Sequence, residues 1–402
     1  MIIEIILALI IGIITGTLTG ITPGIHINTV TALLIANISA FSFLSSTSLL
    51  VFVVSLAITH TILDFIPSIL TGATDEESFL SVLPGHEMLI QGKGREAISL
   101  VLIGAVTSIP LILLLVVPFI KITPIVYEKI TPSIPFILIF VSIYIIARED
   151  NTWKALVIFL ATGLLGYSSL NSPVKEPLLP LLGGLFGASS IIISLNQKIK
   201  IPHQEPLRLK NFIGIKKDYL KSLLGSTISS PFCSFLPAIG SGHAATISSE
   251  IVPQSRKSFL IMLGTINLII MVLSFATLYS IDKTRTGAAA AVKNIVRGIE
   301  ITTLWKIIIM SIVSIIIVCI IALFITNLFI KLIERTNYRN VSITMLLILT
   351  IAVLSLSNIH GLIVFITSTA WGVFSIKSNV RRINMMGCLL FPTIIFYLTN
   401  NF

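Results

Sequence analysis

Long apolar runs recur from one end of the chain to the other, and polar residues gather in the intervals between them. Ser99–Ile120, Trp305–Ile330 and Ser342–Leu356 are examples. A helix needs roughly 20 apolar residues to cross a bilayer. The pattern predicts full spans near 49–71, 98–120, 134–147, 155–170, 177–195, 257–281, 304–332, 341–357, 359–376 and 384–400. Two more apolar units, 1–40 and 224–250, are interrupted by Pro and Gly and are expected to be broken, re-entrant helical hairpins. The first stretch, Met1–Thr19, has no basic leader and carries Glu4, so it reads as part of the mature fold and not as a signal peptide.

Composition agrees with a polytopic, all-α membrane protein. The 402 residues are 55% hydrophobic and 11% charged, against about 25% charged residues in soluble domains. The one extended polar stretch, 197–222, is a basic linker between a first transmembrane unit (1–196) and a second (223–402). The net charge of +10 is a topology signal and not a nucleic-acid signature, because Lys and Arg concentrate in loops. An excess of Lys and Arg marks the cytoplasmic side of a cell-membrane protein. With the linker placed there, loops 73–97, 148–154, 251–257, 331–340 and 377–382 fall on the same side, which then holds 19 of the 27 Lys and Arg. Loop 282–303 falls on the opposite side despite Lys283, Arg285, Lys293 and Arg297. These residues are therefore expected to have a role that outweighs the charge rule.

Each half reads in the same order: a broken hairpin, one span, a long charged Gly-containing loop, and four spans. Pro23 and Pro237 are 214 residues apart, and matching spans are offset by about as much. Each half has an odd number of full spans, so the second is expected to be inserted upside down relative to the first. Inverted repeats with broken helices near the bilayer middle are a hallmark of secondary transporters.

The breaks carry the candidate chemistry. The first reads Gly20-Ile-Thr-Pro23-Gly24-Ile-His26-Ile-Asn28-Thr29, the second Pro237-Ala-Ile-Gly240-Ser241-Gly242-His243. Proline removes a donor and pushes the preceding residue out of the helical region. One helix should end near Gly20 and the next begin near Ile25. The new helix starts with unpaired N–H groups and a positive dipole end, a ready anion site. His26, Asn28, Thr29, Ser241 and His243 add polar groups. Irregular backbone at membrane depth is tolerated only inside protein or beside a cavity, so both breaks are expected to face one central site.

Other candidates have two readings each. His60 and Asp64 share a helix face and could relay a proton or hold a coupling ion, Na+ or H+; Asp64 could equally be solvated at a membrane edge. Lys93 and Arg95, and Arg285 in the partner loop, could attract anions at an entrance or gate, or simply cap helices. Cys233, Cys319 and Cys388 read as buried apolar groups. The histidines lack metal-site spacing, so no metal or other cofactor is expected. Trp153, Trp305 and Trp371 fall near span ends, as interfacial anchors do.

At Gly20-Ile-Thr-Pro23-Gly24 and Pro237-Ala-Ile-Gly240-Ser-Gly242 the chain resembles the large permease subunit of tripartite tricarboxylate transporters, the TctA family. Gly92-Lys93-Gly94 and Arg285-Thr-Gly287-Ala-Ala also look like family landmarks, and the Ile-rich composition resembles archaeal members. The resemblance implies that Pro23, Gly24, Asn28, Thr29, Pro237, Gly240 and Gly242 line a carboxylate site. It also implies ion-coupled uptake by an elevator-like movement, a small membrane subunit and an extracytoplasmic binding protein. The chain departs from bacterial members at His26 and His243, where small residues are usual, at Ala238, where the second motif has Gly, and in being shorter. A similar Gly-x-x-Pro-Gly signature occurs in transporters that recycle polyprenyl phosphate within membrane lipids, and a phosphate suits a helix N-terminus equally well. An intramembrane enzyme using His60 and Asp64 or the motif histidines is a third reading, although no Gly-x-Ser-x-Gly, His-Glu-x-x-His or paired-Asp motif occurs.

Overall fold

The computed structural model describes residues 2–22, 27–41, 43–72, 80, 82–196, 201–207, 216–296, 298–336 and 338–400. All regular structure among them is helical. The α-helices are α1 (Ile2–Ile21), α2 (Ile27–Ala36), α3 (Ser46–Leu63), α4 (Phe65–Thr71), α5 (Val82–Ile90), α6 (Gly94–Ile130), α7 (Ile134–Ala147), α8 (Thr152–Leu170), α9 (Leu178–Leu182), α10 (Ser189–Asn196), α11 (Lys216–Phe235), α12 (Ser241–Ile251), α13 (Arg256–Ile281), α14 (Gly287–Ile295), α15 (Ile301–Arg335), α16 (Tyr338–Lys377) and α17 (Gly387–Asn400).

Among the described residues, nine helical segments are long and apolar enough to cross a membrane. Two of them, Gly94–Ala147 and Tyr338–Lys377, each cover two expected spans. The second is interrupted at Asn358, whose φ of 59° and ψ of −172° are not helical. Asn358 Oδ1 accepts from the His360 N–H at 3.0 Å, so the side chain caps the helix that restarts there. α11 begins at Lys216, within the segment 197–222.

The centre is built from the two candidate spans with the largest buried share. Of the most apolar 18-residue stretch, 94% is buried in both Ser46–Thr71 and Arg256–Ile281, against 22% in α1. A helix apolar all round belongs in a protein interior or a membrane. α1 has glycines on one stripe, and these set its packing. Gly12 lies against Phe52 and Ser55, Gly16 against Leu56 and Thr59, and Gly20 against His60 and Leu63. α1 and α3 therefore run side by side in the same direction. Their starts are also tied, by the Ser45 N–H donating to Glu4 Oε1 at 2.8 Å. α2 lies between them in sequence and returns the chain to the starting end.

The same order recurs in the second half. Gly225 of α11 lies against Met262 of α13, and Thr277 Oγ1 of α13 donates to the Ser234 carbonyl of α11 at 3.1 Å. These helices are again parallel, with α12 returning between them. The halves interlock where α6 crosses α13. A Cβ on Gly104 would lie 2.0 Å from the Ile261 carbonyl oxygen, and one on Gly264 2.2 Å from that of Val101. Small residues at such crossings let helix backbones approach in a bilayer, where apolar burial gives no preference for protein over lipid.

Polar contacts join all six segments assigned to the cytoplasmic side. Arg148 pairs with Glu250. Arg381 pairs with Glu149 at 2.6 Å, Arg256 with Glu87 at 2.9 Å and Lys257 with Glu96 at 2.6 Å. The described part of the linker, 201–207, is fastened by Gln204. Its Oε1 accepts from the Gly94 N–H at 2.8 Å, its Nε2 donates to the Leu89 carbonyl at 3.0 Å, and its backbone N–H donates to Glu334 Oε1 at 2.7 Å.

Candidate functional site

The second break is shaped by what proline withholds. α11 ends at Phe235. The Cys233 carbonyl would ordinarily accept from the N–H of residue 237, but Pro237 has none. Ala238 then adopts φ of 57°, the left-handed region that glycine enters freely and alanine does not. It is the position where the resembling motif has Gly. Gly240 is extended and precedes α12, and its N–H donates to His243 Nδ1 at 3.3 Å. His243 thus caps the helix it belongs to.

Arg285 completes the break from the loop after α13. Its Nε and Nη2 donate to the Cys233 carbonyl at 3.3 and 3.2 Å, and Nη2 also donates to the Ile239 carbonyl. The guanidinium supplies the donors that the broken backbone lacks. Lys293, in the same loop region, pairs with Asp282 at 2.6 Å. Arg297 lies outside the described residues.

The helix that follows the first break, α2, meets the start of α14 through Asn28. Pro23, Gly24 and His26 lie outside the described residues, and Thr29 falls in the first turn of α2. Asn28 Oδ1 accepts from the Gly287 N–H, an orphan donor at the start of α14, at 2.9 Å. The approach needs glycine, because a Cβ at 287 would sit 2.5 Å from that oxygen.

Between these groups lies a cavity of about 200 Å3. Asn28, Gly240, Ser241, Asn267, Arg285 and Thr286 form its polar lining, and Leu178, Met386 and Leu389 are among its apolar walls. No carboxylate is among these lining residues. The guanidinium and the N-terminal turn of the 11-residue α12 both make it electropositive. The arrangement suits a small anion that is held by amides, a hydroxyl and one guanidinium.

Four residues singled out from sequence therefore come together: Asn28, Gly240, Ser241 and Arg285. Others do not line the cavity. Pro237 and Gly242 shape the break. His243 is fully buried, and its Nε2 has no hydrogen-bond partner among the described residues. His60 Nδ1 contacts Thr19 Oγ1 at 3.1 Å, joining α3 to α1. Asp64 is 5% exposed at the α3–α4 junction, where Ser68 Oγ donates to it at 3.4 Å. It is buried, not solvated at an edge. Lys93 precedes α6, and Arg95 donates to the Gln204 carbonyl at 2.6 Å and to Asn327 Oδ1 at 3.0 Å. Arg95 thus anchors the linker. Among the described residues no group of three or more His, Cys, Asp or Glu is placed to hold a metal.

Sequence reasoning passed over Asn267. The signal was present: it is the one side-chain amide within the 26-residue α13, and polar groups inside spans are costly enough to be mostly functional.

Family comparison is decisive about membership. The model of the tripartite tricarboxylate transporter TctA family matches residues 6–387. The chain belongs to the TctA family. As a TctA-family protein it is a multi-pass membrane permease by family, and the family is one of transporters, not enzymes. A similar curated sequence is the uncharacterized protein MJ1079 of the archaeon Methanocaldococcus jannaschii, 33% identical over 388 residues that cover 94% of each chain. No solved structure matches.

Proposed function

We propose that this TctA-family protein moves a small organic anion, of the di- or tricarboxylate class, across the cytoplasmic membrane, and that the cavity between the two breaks is its binding site. The observation that carries this reading is the convergence of Asn28 from one half with Gly240, Ser241 and Arg285 from the other around an electropositive space whose described lining holds no carboxylate. Helix starts, amides and a guanidinium are the groups that recognise carboxylates. The matching order of α1–α3 and α11–α13 supports two inverted repeats, with re-entrant hairpins at 1–40 and 224–250. On this reading uptake is driven by Na+ or H+, with His60 and Asp64 as relay candidates. The family description also makes a small membrane subunit and an extracytoplasmic binding protein the expected partners.

The cavity's size favours a carboxylate over a lipid carrier. At about 200 Å3 it is below the ~300–1,000 Å3 of ordinary ligand pockets. One observation favours polyprenyl phosphate instead. An apolar groove of about 820 Å3 runs along α1, α2 and α3, and α2 also presents Asn28 to the cavity. Thermal unfolding of the purified full chain with added ligand separates the two, because a ligand that binds only the folded state raises its stability. Citrate or succinate is expected to stabilise the protein. Stabilisation by polyprenyl phosphate alone would transfer the assignment to the lipid carrier, and stabilisation by neither would overturn the anion site.

A further inference from the structure

A second cavity, of about 840 Å3, opens on the face that carries the linker, between α12, α13 and residues 376–383. Three guanidinium groups line it. Two already have counter-charges: Arg256 pairs with Glu87 at 2.9 Å, and Arg381 with Glu149 at 2.6 Å and Glu250 at 3.6 Å. The third, Arg382, has no hydrogen bond or ion pair with any described residue, and its Nη1 is buried. Arginine does not lose its proton in proteins. Arg382 as a whole is half-buried, and a guanidinium with one nitrogen out of reach of solvent and of protein acceptors is partly desolvated without compensation, which is unfavourable. No carboxylate is among the described lining residues. His86, which feels the charge of Arg382, is no counter-charge, since an imidazole is neutral or cationic.

We infer that this cavity is a second anion site, in which Arg382, flanked by Arg256 and Arg381, binds a carboxylate or phosphate group. The planar fork of a guanidinium matches the paired oxygens of either group. Each of the two flanking arginines has five N–H donors, more than its ion pair uses. The site is joined to the central cavity by α12: Ser241 in its first turn lines one, and Thr246 and Ser249 further along line the other. The chemistry fits a soluble oxyanion and the headgroup of an anionic lipid alike. It does not depend on the central cavity being the transport site.

The test is thermal unfolding of the full chain in neutral detergent, with inorganic phosphate against chloride at equal ionic strength, and with phosphatidylglycerol against phosphatidylcholine. Phosphate or phosphatidylglycerol is expected to raise the unfolding temperature of the wild type. A response to phosphate assigns a soluble anion, and a response to phosphatidylglycerol alone assigns a lipid headgroup. Arg382→Gln is expected to unfold at a higher temperature than the wild type without added anion and to lose the response; Arg382→Lys, which keeps the charge without the fork, retains part of it. Asn28→Asp, which places a negative charge in the central cavity, leaves the response intact. An equal response in wild type and Arg382→Gln, or none in the wild type to either anion, overturns the inference. So does a response that Asn28→Asp abolishes and Arg382→Gln keeps, because it moves the ligand to the central cavity.

Discussion

Replacing Arg285 by Met removes three donated hydrogen bonds while keeping much of the side chain's length. Two carbonyls, Cys233 and Ile239, lose the guanidinium donors. In water-soluble proteins each unsatisfied buried group costs about 1–3 kcal/mol. In membranes the measured value of a polar contact is lower, about 0.6 on average and 1.7 at most, because the unfolded chain also finds partners. The membrane value governs here, so the loss is about 1–3 kcal/mol for the pair. The cause can be isolated with a second substitution. Pro237→Ala restores an N–H four residues after Cys233, giving that carbonyl a donor from its own helix. Arg285→Met should then cost about half as much in the Pro237→Ala background. Thermal or denaturant unfolding of the four proteins in detergent measures the coupling, expected at about 0.6–1.7 kcal/mol by the same scale. Costs that add to within about 0.3–0.5 kcal/mol would show that Arg285 does not answer the proline break.

Three further substitutions test the packing and the electrostatics. Ala238→Gly relieves a left-handed alanine, and unfolding should show a gain of about 0.5–1 kcal/mol after the extra backbone entropy of glycine is counted; a loss would contradict the assigned conformation. Gly104→Ala drives a Cβ toward the Ile261 carbonyl oxygen, and unfolding in detergent should show a loss of about 1–3 kcal/mol or more from overpacking. His86, on the short helix before α6, is held below its ordinary value of 6.5 by burial and, secondarily, by the charge of Arg382. The unfolded state therefore binds the proton more readily than the folded one. His86 contributes stability that is fully present above pH 6.5 and is lost as pH falls below it. A pH series of unfolding temperatures should show this decline in the wild type and a shallower one in His86→Gln; identical slopes would contradict the burial.

The spans and the end of α11 at the second break were legible because they rest on local chemistry. Apolar length marks a membrane helix wherever it lies in the chain, and Pro237 ends α11 through a donor it lacks. The ends of α1 at Ile21 and of α11 at Phe235 follow from those rules. What was not legible depends on partners far away in sequence. Nothing local tells that the N–H of Gly287 meets the Asn28 side chain, or that Gln204 fastens the linker to the turn before α6. Arg285 was half visible: its position against the charge rule pointed to a role, but the carbonyls it serves lie 46 and 52 residues earlier. The anchoring contact of Arg95 was not legible for the same reason, since its carbonyl partner is 109 residues distant. Asn267 could have been found from sequence, as an amide in an otherwise apolar span.

The central claim is that the space around Asn28 holds an anion, and one conservative change addresses it. Asn28→Asp keeps an oxygen to accept from the Gly287 N–H, so the fold is preserved, yet it adds a negative charge at the cavity wall. At about 8 Å and an effective dielectric constant near 20, two like charges repel by about 2 kcal/mol. Citrate binding to purified full-length protein, measured by titration calorimetry, should therefore weaken at least tenfold, the equivalent of about 1.4 kcal/mol. Citrate affinity that is unchanged or improved in Asn28→Asp would contradict the account.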